Sequence, residues 1–269
     1  MQEFISEDTI IKYDIIGEGV PILFLHGWGM DRRLMSGCFE PIFEEEVLHY
    51  KRIYIDLPGM GMSIAGKNVK TSDDILDLIY EFIQEIVGED IILAGESYGG
   101  YLARGFVNKY PELVKSLILL CPLVYPGNRN GRTEPLIVME RDNQFLKTLT
   151  QEQYNSFTYM NVVLTKDVWD LFSRDILPAI EEQNTEFLNT VLEGALSFEV
   201  DDLKNPFVDP CLIIVGKQDT EVGYKDQFEL LDKYPNATYC VLNKAGHNLQ
   251  IEQPKMFRSI VREWLYVNH

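Results

Sequence analysis

The apolar run Ile91-Ile92-Leu93-Ala94, followed at once by Gly95-Glu96-Ser97-Tyr98-Gly99, constrains this chain more than any other stretch. The run reads as a buried strand, and Gly100 through Tyr110 carries a helical pattern. A strand that passes straight into a helix needs a very sharp turn. Gly95 and Gly99 allow it, because a Cβ at either place would crowd the adjoining backbone. Such a turn lifts Ser97 out of the sheet. The start of the helix then points free N–H groups and its positive dipole end at the serine oxygen.

A serine hydroxyl alone is a weak nucleophile; it needs a base, and the base needs a group to orient it. The chain has four histidines. His26 closes the apolar run Pro21–Leu25, His49 precedes Arg52–Ile55 and reads as a surface residue, and His269 ends the chain and reads as frayed. His247 follows the run Thr238–Leu242 in Ala245-Gly246-His247-Asn248, on a loop that can reach the top of a sheet. It is the candidate general base. The orienting acid should lie after another strand. Cys211–Val215 is nearly continuous apolar sequence, as a strand covered on both faces should be. Gly216-Lys217-Gln218-Asp219 follows it, which makes Asp219 the candidate and Glu221 its rival. Charge developing on a substrate oxygen needs backbone donors. The N–H of Tyr98 is one, and the N–H of Trp28, in the glycine-bearing loop His26-Gly27-Trp28-Gly29, is assigned as the other. With neutral His247 as the working base, kcat/KM should rise with pH along a single limb between roughly pH 5 and 8, near the ordinary histidine value of ~6.5, which Asp219 pushes up and burial pushes down.

Strands are expected near Glu3–Ile5, Thr9–Ile16, Pro21–Leu25, Arg52–Ile55, Ile91–Ala94, Ser116–Cys121, Cys211–Val215 and Thr238–Leu242. Helices are expected near Met35–Glu46, Ser72–Val87, Tyr98–Tyr110, Tyr224–Lys233 and Pro254–Tyr266. This alternation predicts an α/β fold: an eight-stranded, mostly parallel sheet flanked by helices, with ligands at the carboxyl ends of the strands. The alternation breaks between Cys121 and Pro210, where helical patterning dominates around Leu136–Thr148, Gln151–Met160, Lys166–Ile176 and Thr185–Gly194. We read residues 125–205 as an inserted helical cap, and residues 1–124 and 206–269 as the core. The aromatic stripe of Phe145, Phe157, Tyr159, Trp169, Phe172 and Phe187, with Met160, either lines a pocket or forms the interior of the cap.

The residues His26-Gly27-Trp28-Gly29, Asp56-Leu57-Pro58-Gly59-Met60-Gly61-Met62-Ser63, Gly95-Glu96-Ser97-Tyr98-Gly99-Gly100, Gly216-Lys217-Gln218-Asp219 and Ala245-Gly246-His247 carry a resemblance. The chain resembles the α/β-hydrolase fold superfamily, in its capped form. The order Ser97, Asp219, His247 is the order of that superfamily. The resemblance implies a serine triad that works without a metal or organic cofactor, acting on a small-molecule substrate. A carboxylic ester is the favoured substrate. The resemblance leaves open a lactonase, a perhydrolase, an aminopeptidase of the proline iminopeptidase kind or a C–C bond hydrolase on the same triad. A serine nucleophile argues against dehalogenases of this fold, which use Asp. Within the resemblance, His26 is expected to brace the oxyanion loop and Asp56 to tie down its own Pro-Gly loop. Glu96 departs from the His or Asn that many relatives carry before the nucleophile; a carboxylate there is expected to hydrogen-bond to the cap or to a substrate amine. An aminopeptidase would need acids on the cap to hold an ammonium group, for which Glu181, Glu182, Glu186 and Glu193 are available.

A length of 269 residues suits one enlarged domain, and 46% hydrophobic residues can fill its core. The formal charge of −18 and the lack of a basic patch argue against nucleic acid as a partner. Cys38, Cys121, Cys211 and Cys240 are dispersed and read as small core residues. No segment reaches the ~18 apolar residues of a membrane span, and the first residues show no leader pattern. A cytoplasmic enzyme, either monomeric or a homo-oligomer, is the expectation.

Overall fold

The computed structural model describes residues 1–44, 49–127, 129–191 and 195–269. Its centre is an eight-stranded sheet of β1 (Gln2–Ser6), β2 (Thr9–Ile16), β3 (Val20–Leu25), β4 (Tyr50–Ile55), β5 (Ile91–Glu96), β6 (Val114–Leu120), β7 (Cys211–Gly216) and β8 (Ala237–Leu242). The spatial order is β1-β2-β4-β3-β5-β6-β7-β8. From β4 to β8 every neighbouring pair is parallel, while β2 runs antiparallel to both β1 and β4. The burial of each strand matches its composition. Ile22–Leu25, Ile91–Ala94 and Cys211–Val215 are buried on both sheet faces, as their unbroken apolar sequence requires. In β2 only alternate residues, among them Ile11 and Tyr13, turn fully inward.

The helices that flank the sheet are α1 (Arg32–Phe43), α2 (Ser72–Phe82) and α3 (Tyr98–Lys109). The first starts earlier than expected because Asp31 caps it, accepting from the Arg33 N–H at 2.8 Å; the expected end at Glu45 and Glu46 lies outside the described residues. α2 opens on a capping box in which Thr71 and Asp74 satisfy each other's N–H groups. It runs on through a wider π-helical turn, Ile83–Val87, and stops at Gly88 with φ 70°. The helix expected over Tyr224–Lys233 is only a 3₁₀ segment, Asp226–Asp232. There the Gln227 side chain turns inward to donate to the carbonyls of Pro122 and Val222.

Between β6 and β7 the chain forms α4 (Asn143–Leu146), α5 (Gln151–Thr158), α6 (Lys166–Asp175), α7 (Leu177–Glu181) and α8 (Thr185–Thr190). The stretch expected to be helical over Leu136–Thr148 is mostly extended. Its Glu140–Arg141 pairs in parallel with Val163–Leu164, and only α4 is helical. Gly194, the expected end of the last insertion helix, lies outside the described residues. Phe157 and Phe172 are buried and, with Trp169 and Phe145, form one aromatic cluster inside the insertion. Arg104 of α3, fully buried, holds both ends of this excursion: it donates to the Leu123 carbonyl and to the Asp201 carboxylate, each at 2.6 Å. After β8 come α9 (Leu249–Glu252) and α10 (Pro254–Asn268). His269 is docked rather than frayed. Its Nε2 lies 2.8 Å from the Ser116 hydroxyl and its ring packs against Tyr50 and Trp264. Among the described residues no helix is long and apolar enough to cross a membrane.

Candidate active site

Ser97 sits between the end of β5 and the start of α3 with φ 50° and ψ −112°, a backbone region that side chains rarely occupy. The surrounding chain holds it there. Its N–H donates to Leu120 at 3.0 Å, and its carbonyl accepts from Leu123 and Tyr101 at 3.0 and 3.1 Å. Gly95 and Gly99 make the turn feasible. A Cβ on Gly95 would collide with the Gly99 carbonyl, and one on Gly99 with the Leu25 carbonyl.

Asp219 and His247 converge on the same end of the sheet from the loops after β7 and β8. The carboxylate of Asp219 is fully buried. Its Oδ1 accepts from the N–H groups of Glu221 and Val222 at 2.8 and 3.0 Å, which leaves Oδ2 to face His247 Nδ1 at 2.8 Å. That contact fixes the proton of neutral His247 on Nδ1 and leaves the ring's lone pair on Nε2. Glu221, the rival acid, makes no hydrogen bond to the imidazole. Burial presses the His247 pKa down, but the carboxylates of Asp219, Glu96 and Glu221 outweigh it and raise it to about 9.

Trp28 and Tyr98 both line the same cavity as Ser97 and His247. Tyr98 opens α3, so its N–H has no partner within the helix. Their rings pack edge to face with centroids 4.9 Å apart, which joins the two loops. The loop carrying Trp28 is braced by His26, whose Nδ1 lies 2.8 Å from the Gly27 carbonyl while its Nε2 accepts from the Leu57 N–H at 2.9 Å. These two contacts place its proton on Nδ1, and burial lowers its pKa, so His26 stays neutral. Asp56 accepts from the Met62 N–H at 2.9 Å, which ties down the Pro-Gly loop, and also from Arg32 Nη1 at 2.6 Å.

The cavity is about 720 Å³. The core supplies Ser97, His247, Trp28 and Leu123; the insertion supplies Tyr159, Met160, Phe172, Ile176 and Leu188, which are mainly apolar. Of the aromatic stripe, Tyr159 and Phe172 reach the cavity, whereas Phe145, Phe157 and Trp169 belong to the interior of the insertion. Glu181, Glu182 and Glu186 are exposed and line no part of it; Glu182 pairs with Arg33 at 3.1 Å. Glu193 lies outside the described residues.

Three groups near the site carry contacts that sequence reasoning did not reach. Glu96 is 2% exposed, and its Oε1 stands 3.4 Å from His247 Nε2. Burial, with the charge of Asp219, lifts its pKa to about 7 against the pull of His247 and of the Gly27 N–H. Among the described residues the Ser97 hydroxyl closes no hydrogen bond to His247; the group within ion-pair distance of Nε2 is Glu96. Cys121 lies beside the Asp219–His247 pair, with the ligand atoms of all three within 4.8 Å, and burial pushes its thiol pKa far up. Glu252 of α9 is buried and accepts from the N–H of Gly246 at 2.5 Å and from those of Val162 and Val163 at 2.5 and 3.2 Å. Burial raises its pKa to about 7 although three N–H groups favour the carboxylate. A glutamate at the sequence position before the serine was the one visible signal; Cys121 and Glu252 gave none.

Residues 20–254 match the family model described as alpha/beta hydrolase fold. A curated relative, the pimeloyl-[acyl-carrier protein] methyl ester esterase of Aeromonas hydrophila subsp. hydrophila, is 27% identical over 261 residues, covering 95% of this chain and 99% of that protein. The enzyme of the same name from Pseudoalteromonas atlantica is 30% identical over 145 residues, 53% of this chain and 54% of that one. Among solved structures, an alpha/beta superfamily hydrolase from Oenococcus oeni PSU-1 superposes with a TM-score of 0.86 at 30% identity, over 99% of this chain and 100% of that one. The chain therefore belongs to the α/β-hydrolase fold family of enzymes.

Proposed function

We propose that the protein is a serine hydrolase that cleaves a small-molecule carboxylic ester through Ser97, His247 and Asp219. The observation that carries this reading is the 2.8 Å contact of His247 Nδ1 with buried Asp219, made in the cavity that the strained Ser97 also lines. In the reaction Ser97 Oγ attacks the ester carbonyl carbon while His247 Nε2 takes its proton. The imidazolium so formed is stabilised by Asp219. The tetrahedral oxyanion is held by the N–H groups of Trp28 and Tyr98. The C–O bond to the alcohol then breaks, and the alcohol leaves with the proton from His247. Water, deprotonated by the same nitrogen, attacks the acyl-enzyme and frees Ser97. Esterases among the relatives fit this reading; their names say what those proteins act on.

Two measurements test it. A fluorophosphonate should label Ser97 and no other residue, as mapped by mass spectrometry, and the protein should turn over p-nitrophenyl esters. An adduct elsewhere, or none on the folded protein, removes Ser97 as nucleophile. Turnover of aminoacyl anilides in place of esters would favour the aminopeptidase alternative.

The inserted segment acts in this reading as a cap that selects the acyl group. Tyr159 is 66% exposed yet lines the cavity, whereas Phe157 is fully buried inside the insertion. Tyr159→Ala should change the ratio of kcat/KM for long against short acyl chains by roughly 10-fold, the worth of a lost apolar pocket contact, with little change in melting temperature. Phe157→Ala should lower the melting temperature and leave the ratio alone. The reverse pattern would place selection in the aromatic cluster instead.

A further inference from the structure

The catalytic imidazole has a second carboxylate that the ester mechanism does not use. Asp219 occupies Nδ1 at 2.8 Å, and Glu96 Oε1 faces Nε2 at 3.4 Å, where the serine proton has to arrive. Glu96 is not a surface charge that drifts into range. It is buried, it lines the cavity, and its Oε2 lies so close over Gly27 that a Cβ there would collide with it. So Oε2 packs against the loop that carries Trp28, and Oε1 faces the base.

We propose that Glu96 is a positioning residue for His247: in the free protein it holds the ring between two carboxylates, turned from Ser97, and substrate must take its place at Nε2 before the serine proton can move. This rests on the serine-hydrolase reading above. Its chemical consequence follows from charge. A carboxylate at 3.4 Å stabilises the imidazolium and so opposes the neutral form that accepts the serine proton. The other groups that face this pair are Asp219 and Glu221 from the loop after β7, Cys121 from the end of β6, Cys38 of α1 and Glu252 of α9. Among the described residues Asp219 pairs with Nδ1, and Glu96 is the carboxylate that pairs with Nε2. The raised pKa of His247, about 9, agrees in direction. The rise of kcat/KM with pH should therefore lie well above the ordinary histidine value expected from the sequence.

The test is Glu96→Gln, which keeps size and removes the charge, with Glu96→Ala as a second variant should the first fail to fold. The His247 imidazole is titrated by NMR in protein labelled at histidine, its signal identified as the one missing from His247→Ala. The midpoint should fall by about one pH unit, the low end of what an adjoining opposite charge contributes. The pH–kcat/KM limb should follow, so that kcat/KM at pH 7, relative to the same variant's alkaline plateau, rises about tenfold. A merely structural Glu96 would lower the melting temperature and leave both midpoints unmoved, and that result overturns the proposal. The NMR arm needs no substrate. If wild type hydrolyses no ester while the midpoint still falls, the ester reading fails and the Glu96–His247 couple stands.

Discussion

Ser97→Ala and His247→Ala should each lower kcat on a good ester by roughly four to six orders of magnitude, and the double variant should be hardly worse than either. The losses should not add, because in the proposed mechanism each change removes the same event, the transfer of the serine proton during attack. Asp219→Asn tests the third member more sharply than a truncation would. Oδ1 of Asp219 already accepts from the N–H groups of Glu221 and Val222, and an Asn carbonyl oxygen can keep both contacts. Its NH2 then faces His247 Nδ1, which has to accept rather than donate. The imidazole proton moves to Nε2, and the base loses the lone pair that Ser97 needs. A loss of about 10⁴ is expected with the fold intact. Glu221→Gln should cost far less, since Glu221 acts on His247 only through its charge. Steady-state kinetics on these variants decide the assignment: a larger loss for Glu221→Gln than for Asp219→Asn would move the acid to Glu221.

The sheet was legible from the sequence because its strands are buried on both faces and read as apolar blocks, Cys211–Val215 being a clear case. The elbow was legible because only glycine fits at Gly95 and Gly99. What failed was structure set by distant contacts. The run before Thr148 has apolar residues that pass for a helix, yet Glu140–Arg141 pairs with Val163–Leu164, which no local pattern announces. Around Gln227 the helical spacing is real, but an inward amide bonded to Pro122 and Val222 coincides with a tighter 3₁₀ coil. His269 looked like a free end and is held by Ser116 of β6. The pairing of His247 with Asp219 could be inferred from order along the chain. Its second neighbour could not, since a glutamate before the serine reads equally as a substrate ligand. Only its burial and the 3.4 Å approach of its Oε1 to Nε2 assign it to the base.

Glu252→Ala should be the most damaging change outside the proposed triad, costing about 3–6 kcal/mol of stability. One carboxylate satisfies three buried N–H groups, those of Gly246, Val162 and Val163, and each left unmet costs roughly 1–3 kcal/mol, partly relieved if water enters. The residue also joins two parts of the site that the chain sets far apart. Gly246 precedes His247, while Val162 and Val163 belong to the insertion whose neighbour Met160 lines the cavity. Asn248 reinforces the same junction by donating to Asn161 at 3.0 Å. Losing the carboxylate should therefore loosen the base and the cavity wall together, so kcat/KM should fall more than in a variant of equal instability such as Phe157→Ala. Glu252→Gln should lie between wild type and Ala, because one amide oxygen still accepts from Val162 and Val163 while the NH2 opposes the Gly246 N–H. Urea unfolding and kcat/KM of the three variants make the comparison. A Glu252→Ala protein within about 1 kcal/mol of wild type, the worth of one ordinary net hydrogen bond, would mean that the junction rearranges freely and that the insertion and the histidine loop are not coupled through this side chain.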